Sequence, residues 1–212
     1  LESERMAAVE ELDRVEAVVG ETRRKAAPRL AKEVENHLRT LAMAHAVLDV
    51  EVGPDPGDEV KFLLAANPGS VPQILCKVAS GGELARTMLA LRLVLTEAPD
   101  TLVFDEVDAG IGGEAAVAVA RALGELGERH QVLVVTHLAQ VAATASHHIK
   151  VTKTVRSKQT YAQASPLERD ERIAEIARML SGGVAEVSAL QHARDLLGAT
   201  STPSSGPRQP RR

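Results

Sequence analysis

From Leu1 to about Leu48 apolar residues recur at helical spacing, with Leu12, Val15, Val19, Thr22 and Ala26 four and three apart. That is a heptad seam on a background rich in Ala, Glu and Arg. Pro28 is expected to interrupt it, because proline lacks the backbone N–H that continues a helix. Beyond it Leu30, Val34, Leu38, Leu41, His45 and Leu48 carry a broader apolar face, the pattern of a coiled coil entering a globular body. One coiled-coil arm needs a partner. The alternative is an amphipathic helix packed on its own domain, since the seam is short. His37 and His45 read as partly buried helix residues, because no Cys or acid completes a metal spacing around them.

The period then changes to two. Val47 to Val52 alternates and meets the turn sequence Gly53-Pro-Asp-Pro-Gly57, so Val60 to Ala65 is its expected hairpin partner. Asn67 to Pro72 is an irregular connector, and Cys76 near its end reads as a small buried filler. Ser80-Gly-Gly-Glu83 has the pattern of a capping box, opening a helix whose apolar positions include Leu84, Met88, Leu91, Leu93 and Leu95. Thr101 to Phe104 and Gln131 to Val135 are short apolar runs of the kind covered on both faces in a parallel sheet. The amphipathic stretch Glu114 to Arg129, with Val117, Ala120, Leu123 and Leu126, makes a crossover between them. Both strands then end at one edge, which draws His137 towards the residues after Phe104. His148 to Thr154 is a further strand, Tyr161 begins a return, and helices cover Leu167 to Leu180 and about Val184 to Leu197. Ser181-Gly-Gly183 follows its helix and reads as a C-cap.

Composition bears on class more than on fold. Across 212 residues the apolar fraction is 44%, enough for a real core, and the net charge is −4. With 1% aromatics there is neither a strongly basic surface nor a base-stacking platform, so DNA contact is expected to be local or made by parts not present. One cysteine excludes an internal disulfide framework, and no apolar run suits a signal peptide or membrane span. A reducing cytoplasm is the expected compartment. Opening on Leu1 in helical pattern, the chain reads as a fragment whose N-terminus lies upstream.

The chemistry gathers where the first apolar run ends. Asp105, Glu106 and Asp108 are delivered to one small region, where carboxylates repel unless a cation relieves them. A hydrated Mg²⁺ with a phosphate ligand is a natural occupant, which makes this a candidate nucleotide site. The bland alternative is a solvated acidic turn. Gly110-Ile-Gly-Gly-Glu-Ala115 also fits a dinucleotide fingerprint, but poorly, because its first glycine stands several residues past the strand end. At Ser80 to Glu83 the two glycines leave N–H groups bare at a positive helix end, which suits a phosphate.

Three co-ordered stretches, Lys77 to Arg86, Thr101 to Gly113 and Val134 to Val141, resemble the C-terminal half of the RecN family of bacterial DNA repair proteins. The likeness runs from about Arg23 through Leu197. It implies an α/β fold: the C-terminal lobe of an ABC-type ATPase head, with parallel strands and crossover helices, preceded by one coiled-coil arm. It also implies roles. Ser80, Gly81, Gly82 and Glu83 match the signature motif that closes on ATP held by an opposing head, so Ser80 should lie well away from Asp105, Glu106 and His137 of its own chain. Asp105 matches the acid that holds Mg²⁺ through water, Glu106 the catalytic acid, and His137 the switch histidine that senses the γ-phosphate. Gly112 stands where the common ABC pattern has aspartate, although glycine suits RecN itself.

No G-x-x-x-x-G-K-[ST] sequence occurs, and the family carries that loop on an N-terminal half. The implied organisation is a returning arm over 1–47, the lobe over 48–198 and a disordered tail over 199–212. The implied function is ATP hydrolysis by the intact protein in recombinational repair of double-strand breaks, the fragment alone being inactive. The implied partners are a second copy of the head, DNA and the missing N-terminal half, with no membrane and a cytoplasmic, nucleoid-associated location. The alternative is a non-catalytic coiled-coil scaffold or DNA-tethering module.

Overall fold

A computed structural model describes residues 1–77, 80–95, 99–156, 159–183 and 187–200; the expected tail at 201–212 and the helix start at 184–186 lie outside them. The chain divides into two compact units, Leu1–Val135 and Thr136–Arg212.

The first unit opens with helix α1, Glu2–Thr40, which runs through Pro28 without interruption. A proline inside a helix costs roughly 3 kcal/mol through its missing hydrogen bond and ring clash. Burial around it offsets that cost: Ala27 and Ala31 pack against Val50, Val52 and Phe62, and Val34 and Leu38 are fully buried. Arg24 reaches the Gly53 carbonyl at 3.1 Å and Asp55 at 2.5 Å, and Arg23 reaches Asp58 at 2.6 Å, fastening α1 to the turn beyond the first strand. Before Gly20 the heptad residues Leu12 and Val15 are exposed. His45, expected on the helix, lies exposed in the turn after it.

Strands β1, Val47–Val52, and β2, Val60–Ala65, form the expected antiparallel hairpin, with Val47 opposite Ala65 and Val52 opposite Val60. A two-residue strand β3, Gln73–Ile74, joins β2. It is too short to announce itself by alternation. Cys76 is exposed, and Leu75 beside it takes the buried place expected for the cysteine.

Helix α2, Gly81–Val94, precedes strand β4, Thr101–Phe104; helix α3, Gly113–Gly127, then leads to strand β5, Gln131–Val134. Strands β4 and β5 are parallel, with Thr101 opposite Gln131 and Phe104 opposite Val134. The expectation of cover on both faces fails on one side. Leu102 and Phe104 are buried, whereas Val103 and Leu133, neighbours on the other face, are exposed, as is Val135. On α2 the buried apolar residues are Leu89, Ala90 and Leu91, while Met88 and Leu95 face outwards.

In the second unit helix α4, Ala139–Thr144, is followed by the antiparallel hairpin β6, Ile149–Arg156, and β7, Gln159–Pro166. Helices α5, Arg169–Ser181, and α6, Val187–Thr200, pack with α4 around Ala139, Ala142, Ala143, Ile176, Ala177 and Ala193. Gly182, left-handed at φ 68°, ends α5 as the expected C-cap. Glu175, buried on α5, accepts from Arg178 at 2.6 Å and pairs with Lys150 of β6 at 2.5 Å. The Arg178 guanidinium foremost, and Lys150 after burial is set against it, hold its carboxyl down at about 2.

Candidate active site

The strand end and the helix start that carry the candidate residues meet in the first unit. The Phe104 carbonyl accepts from Val135 N at 2.9 Å, which fixes the edge from which Asp105 and Glu106 leave. Asp105 is exposed and its Oδ1 accepts from Glu106 N at 2.9 Å. Glu106 has φ 57°. For an L-residue the left-handed region is costly by roughly 1–2 kcal/mol, and such outliers gather at functional sites. The turn continues with Ala109 N donating to the Glu106 carbonyl at 3.0 Å. Val107 and Asp108 are buried inside it.

Ser80 is the N-cap of α2, its hydroxyl accepting from Glu83 N at 3.4 Å. Contrary to expectation, this helix start does not keep clear of its own chain's acids. A Cβ at Gly81 would collide with the Glu106 carboxylate, and one at Gly82 would stand 2.8 Å from the Ala109 carbonyl oxygen. Within one chain, then, Gly82 is already required by close packing on the backbone of the loop after β4, whereas at Gly81 the conflict is with the movable end of an exposed side chain. The presence of Gly82 alone no longer argues for a phosphate, and Ser80 stands half-buried at the cap.

A residue that pattern reading missed holds this contact. Arg86, one and a half turns into α2 and 6% exposed, donates from Nη1 to the Ala109 carbonyl at 2.9 Å and, more weakly, to Val107 at 3.5 Å. Burial pushes its guanidinium pKa down, with Glu83 opposing. Its place at the end of the quoted Lys77 to Arg86 stretch was visible, but nothing in residue type distinguishes a buried arginine from an exposed one.

The three acids do not act as one group. Among the described residues no cluster of three His, Cys, Asp or Glu side chains could hold a metal. Asp108 is 2% exposed, while Asp105 and Glu106 are open to solvent. Mg²⁺ does not need such a cage, because it keeps several waters and takes one or two carboxylates together with phosphate oxygens. An exposed Asp105 at a strand end fits that role, and Asp108 does not. His137 belongs to the second unit, exposed in a turn where Leu138 N donates to the Thr136 hydroxyl at 3.0 Å just before α4.

No protein-family model matches the chain. In fold it is similar to the Smc head domain with a coiled coil and joint from Pyrococcus yayanosii, with TM-score 0.60 and 19% identity over 91% of this chain and 34% of that one. It is also similar to the Smc head domain with an extended coiled coil from Pyrococcus furiosus, solved bound to the C-terminal domain of ScpA, with TM-score 0.57 and 20% identity over 84% and 44% of the two chains. The fold is therefore that of part of an Smc head domain, mixed α/β with a parallel strand pair and a long leading helix. In sequence the chain is 46% identical to the DNA repair protein RecN of Deinococcus radiodurans over 193 residues, 88% of this chain and 34% of that protein. It is 41% identical to RecN of Streptomyces coelicolor over 215 residues, 92% and 38% of the two. The chain belongs to the RecN family, and spans a little over a third of the length of these relatives.

Proposed function

We propose that this chain supplies the C-terminal lobe of a RecN-type ATPase head, acting in recombinational repair of double-strand breaks. The carrying observation is that a capped helix start and a strand end bearing Asp105 and Glu106 are packed together in a chain that is 46% identical to a RecN protein. In this reading Ser80 to Glu83 present backbone N–H groups to ATP held by a second copy, which suits the positive end of a helix. Asp105 holds Mg²⁺ through water, and the bound ion neutralises phosphate charge. Glu106 orients or deprotonates the attacking water, and His137 senses the γ-phosphate. The division into an arm over 1–47, a lobe over 48–198 and a tail over 199–212 belongs to the same proposal. The remainder of the head supplies the phosphate-binding loop, and the exposed apolar face of Val103 and Leu133 suits cover by further parallel structure.

The test is ATP turnover by the intact protein. Glu106→Gln should lower the rate by about 10²–10⁴, the contribution of a catalytic base. An intact protein that does not hydrolyse ATP would instead be a non-catalytic coiled-coil scaffold or DNA tether, and one whose rate ignores this substitution would take its catalytic acid from elsewhere. Among the described residues no helix is long and apolar enough to cross a membrane; the assignment to the cytoplasm and the nucleoid rests on the repair reading alone.

A further inference from the structure

Arg86 is buried in a way that its own helix does not require. Its side chain leaves α2 and ends on the loop after β4, where Nη1 donates to two carbonyls of that loop, Ala109 at 2.9 Å and Val107 at 3.5 Å. Among the described residues its buried Nε has no hydrogen-bond partner, an arrangement tolerated only where something else is gained. Ala109 is the residue whose N–H closes the turn on the Glu106 carbonyl at 3.0 Å. Arg86 thus grips the far end of the turn that begins at Glu106. Gly82 packs against the same Ala109 carbonyl, so α2 and the loop meet closely there, and Gly81 lies beside the Glu106 carboxylate. Glu106 itself is held in the left-handed region, a conformation that persists only while its surroundings enforce it.

We propose that Arg86 is a positioning residue that couples the helix start at Ser80 to Gly82 to the Glu106 carboxylate, so that a contact made by α2 with a second head sets the geometry of Glu106 in its own. This rests on the catalytic reading of Glu106 given above. A displacement of α2 is carried by the guanidinium to Ala109, and from Ala109 through the turn hydrogen bond to the backbone of Glu106. Methionine at this position fills similar volume but donates to neither carbonyl. Lysine keeps the charge and an ammonium that can donate, without the rigid planar group that fixes Nη1 between the two carbonyls.

The experiment uses the intact protein with four variants: Glu106→Gln, Arg86→Met, Arg86→Lys and the double variant Glu106→Gln with Arg86→Met. Nucleotide affinity, ATP-dependent dimer fraction, kcat and KM are measured for each. Arg86→Met should lower kcat about tenfold or more while leaving affinity and KM within about twofold, because it acts on the chemical step through another residue. In the Glu106→Gln background it should change kcat by less than about threefold, since a positioning residue has nothing left to position. Arg86→Lys should fall between wild type and Arg86→Met. Circular dichroism checks folding, and if Arg86→Met is not folded, Arg86→Lys carries the same comparison in both backgrounds. Losses that multiply in the double variant, or a wild-type kcat in Arg86→Met, overturn the inference while leaving the catalytic role of Glu106 standing. Turnover that ignores Glu106→Gln overturns both.

Discussion

Replacing Glu106 by glycine should make the first unit more stable while removing its proposed chemistry. The residue has φ 57°, which costs an L-amino acid roughly 1–2 kcal/mol and glycine nothing. Against this, glycine gives up backbone entropy on folding worth roughly 0.5–1 kcal/mol relative to alanine. Alanine at the same position keeps the left-handed penalty and, like glycine, lacks the exposed carboxylate. The comparison of glycine with alanine therefore isolates the backbone, and glycine should be the more stable by about 0.5–1 kcal/mol. At an ordinary position with negative φ the order is reversed. A gain of that size moves a midpoint by about 1–4 °C in a chain of this length. With no tryptophan and a single tyrosine, fluorescence is a poor reporter, and far-ultraviolet circular dichroism in urea serves instead. Amide exchange on β4 and α2 reports the first unit alone. A Glu106→Gly protein less stable than Glu106→Ala would refute the claim that this residue is held in strain.

Gly82→Ala should destabilise the first unit by roughly 1–3 kcal/mol, because its Cβ would stand 2.8 Å from the Ala109 carbonyl oxygen; urea denaturation without nucleotide measures it, and a neutral result would return the glycine to the phosphate explanation. In the second unit Glu175→Gln should cost roughly 1–3 kcal/mol by removing a buried, doubly bonded carboxylate. The wild-type contribution is complete above the ordinary glutamate pKa of 4.5 and is lost as pH falls through about 2, so exchange of the α5 amides should accelerate over that window in wild type and not in the variant. The isolated 212-residue chain should neither bind Mg-ATP tightly nor hydrolyse it, since most phosphate contacts come from a loop it lacks; calorimetric titration showing tight binding would displace the nucleotide site.

What could be read from residue order was whatever depends on local period and turn chemistry. The pairing of β1 with β2 follows from the alternation of Val47 to Val52 and the turn sequence Gly53 to Gly57, and the parallel pairing of β4 with β5 follows from two apolar runs joined by an amphipathic helix. Ser80 as N-cap and Gly182 as C-cap follow from the conformations those residue types favour. Features set by tertiary contact were illegible. A glutamate in the left-handed region contradicts its own preference, so nothing in its identity announces it. The persistence of α1 through Pro28 depends on packing against a hairpin two dozen residues away. The glycines at 81 and 82 suggest bare N–H groups, yet in the folded unit Gly82 is also required by the Ala109 carbonyl that it touches.

The central claim is that Ser80 acts on nucleotide held by another copy while Glu106 acts on its own. In the intact protein Glu106→Gln should accumulate an ATP-dependent dimer, because closure is allowed and water attack is slowed. Adding Ser80→Arg to that variant should abolish the dimer while leaving ATP affinity at the wild-type value, since Ser80 is half-buried at a cap whose close intrachain packing falls on Gly82. Sedimentation velocity of the double variant with and without ATP, beside a nucleotide titration, decides the matter. A monomer that binds ATP normally is the predicted result, and an undiminished ATP-dependent dimer would contradict the account.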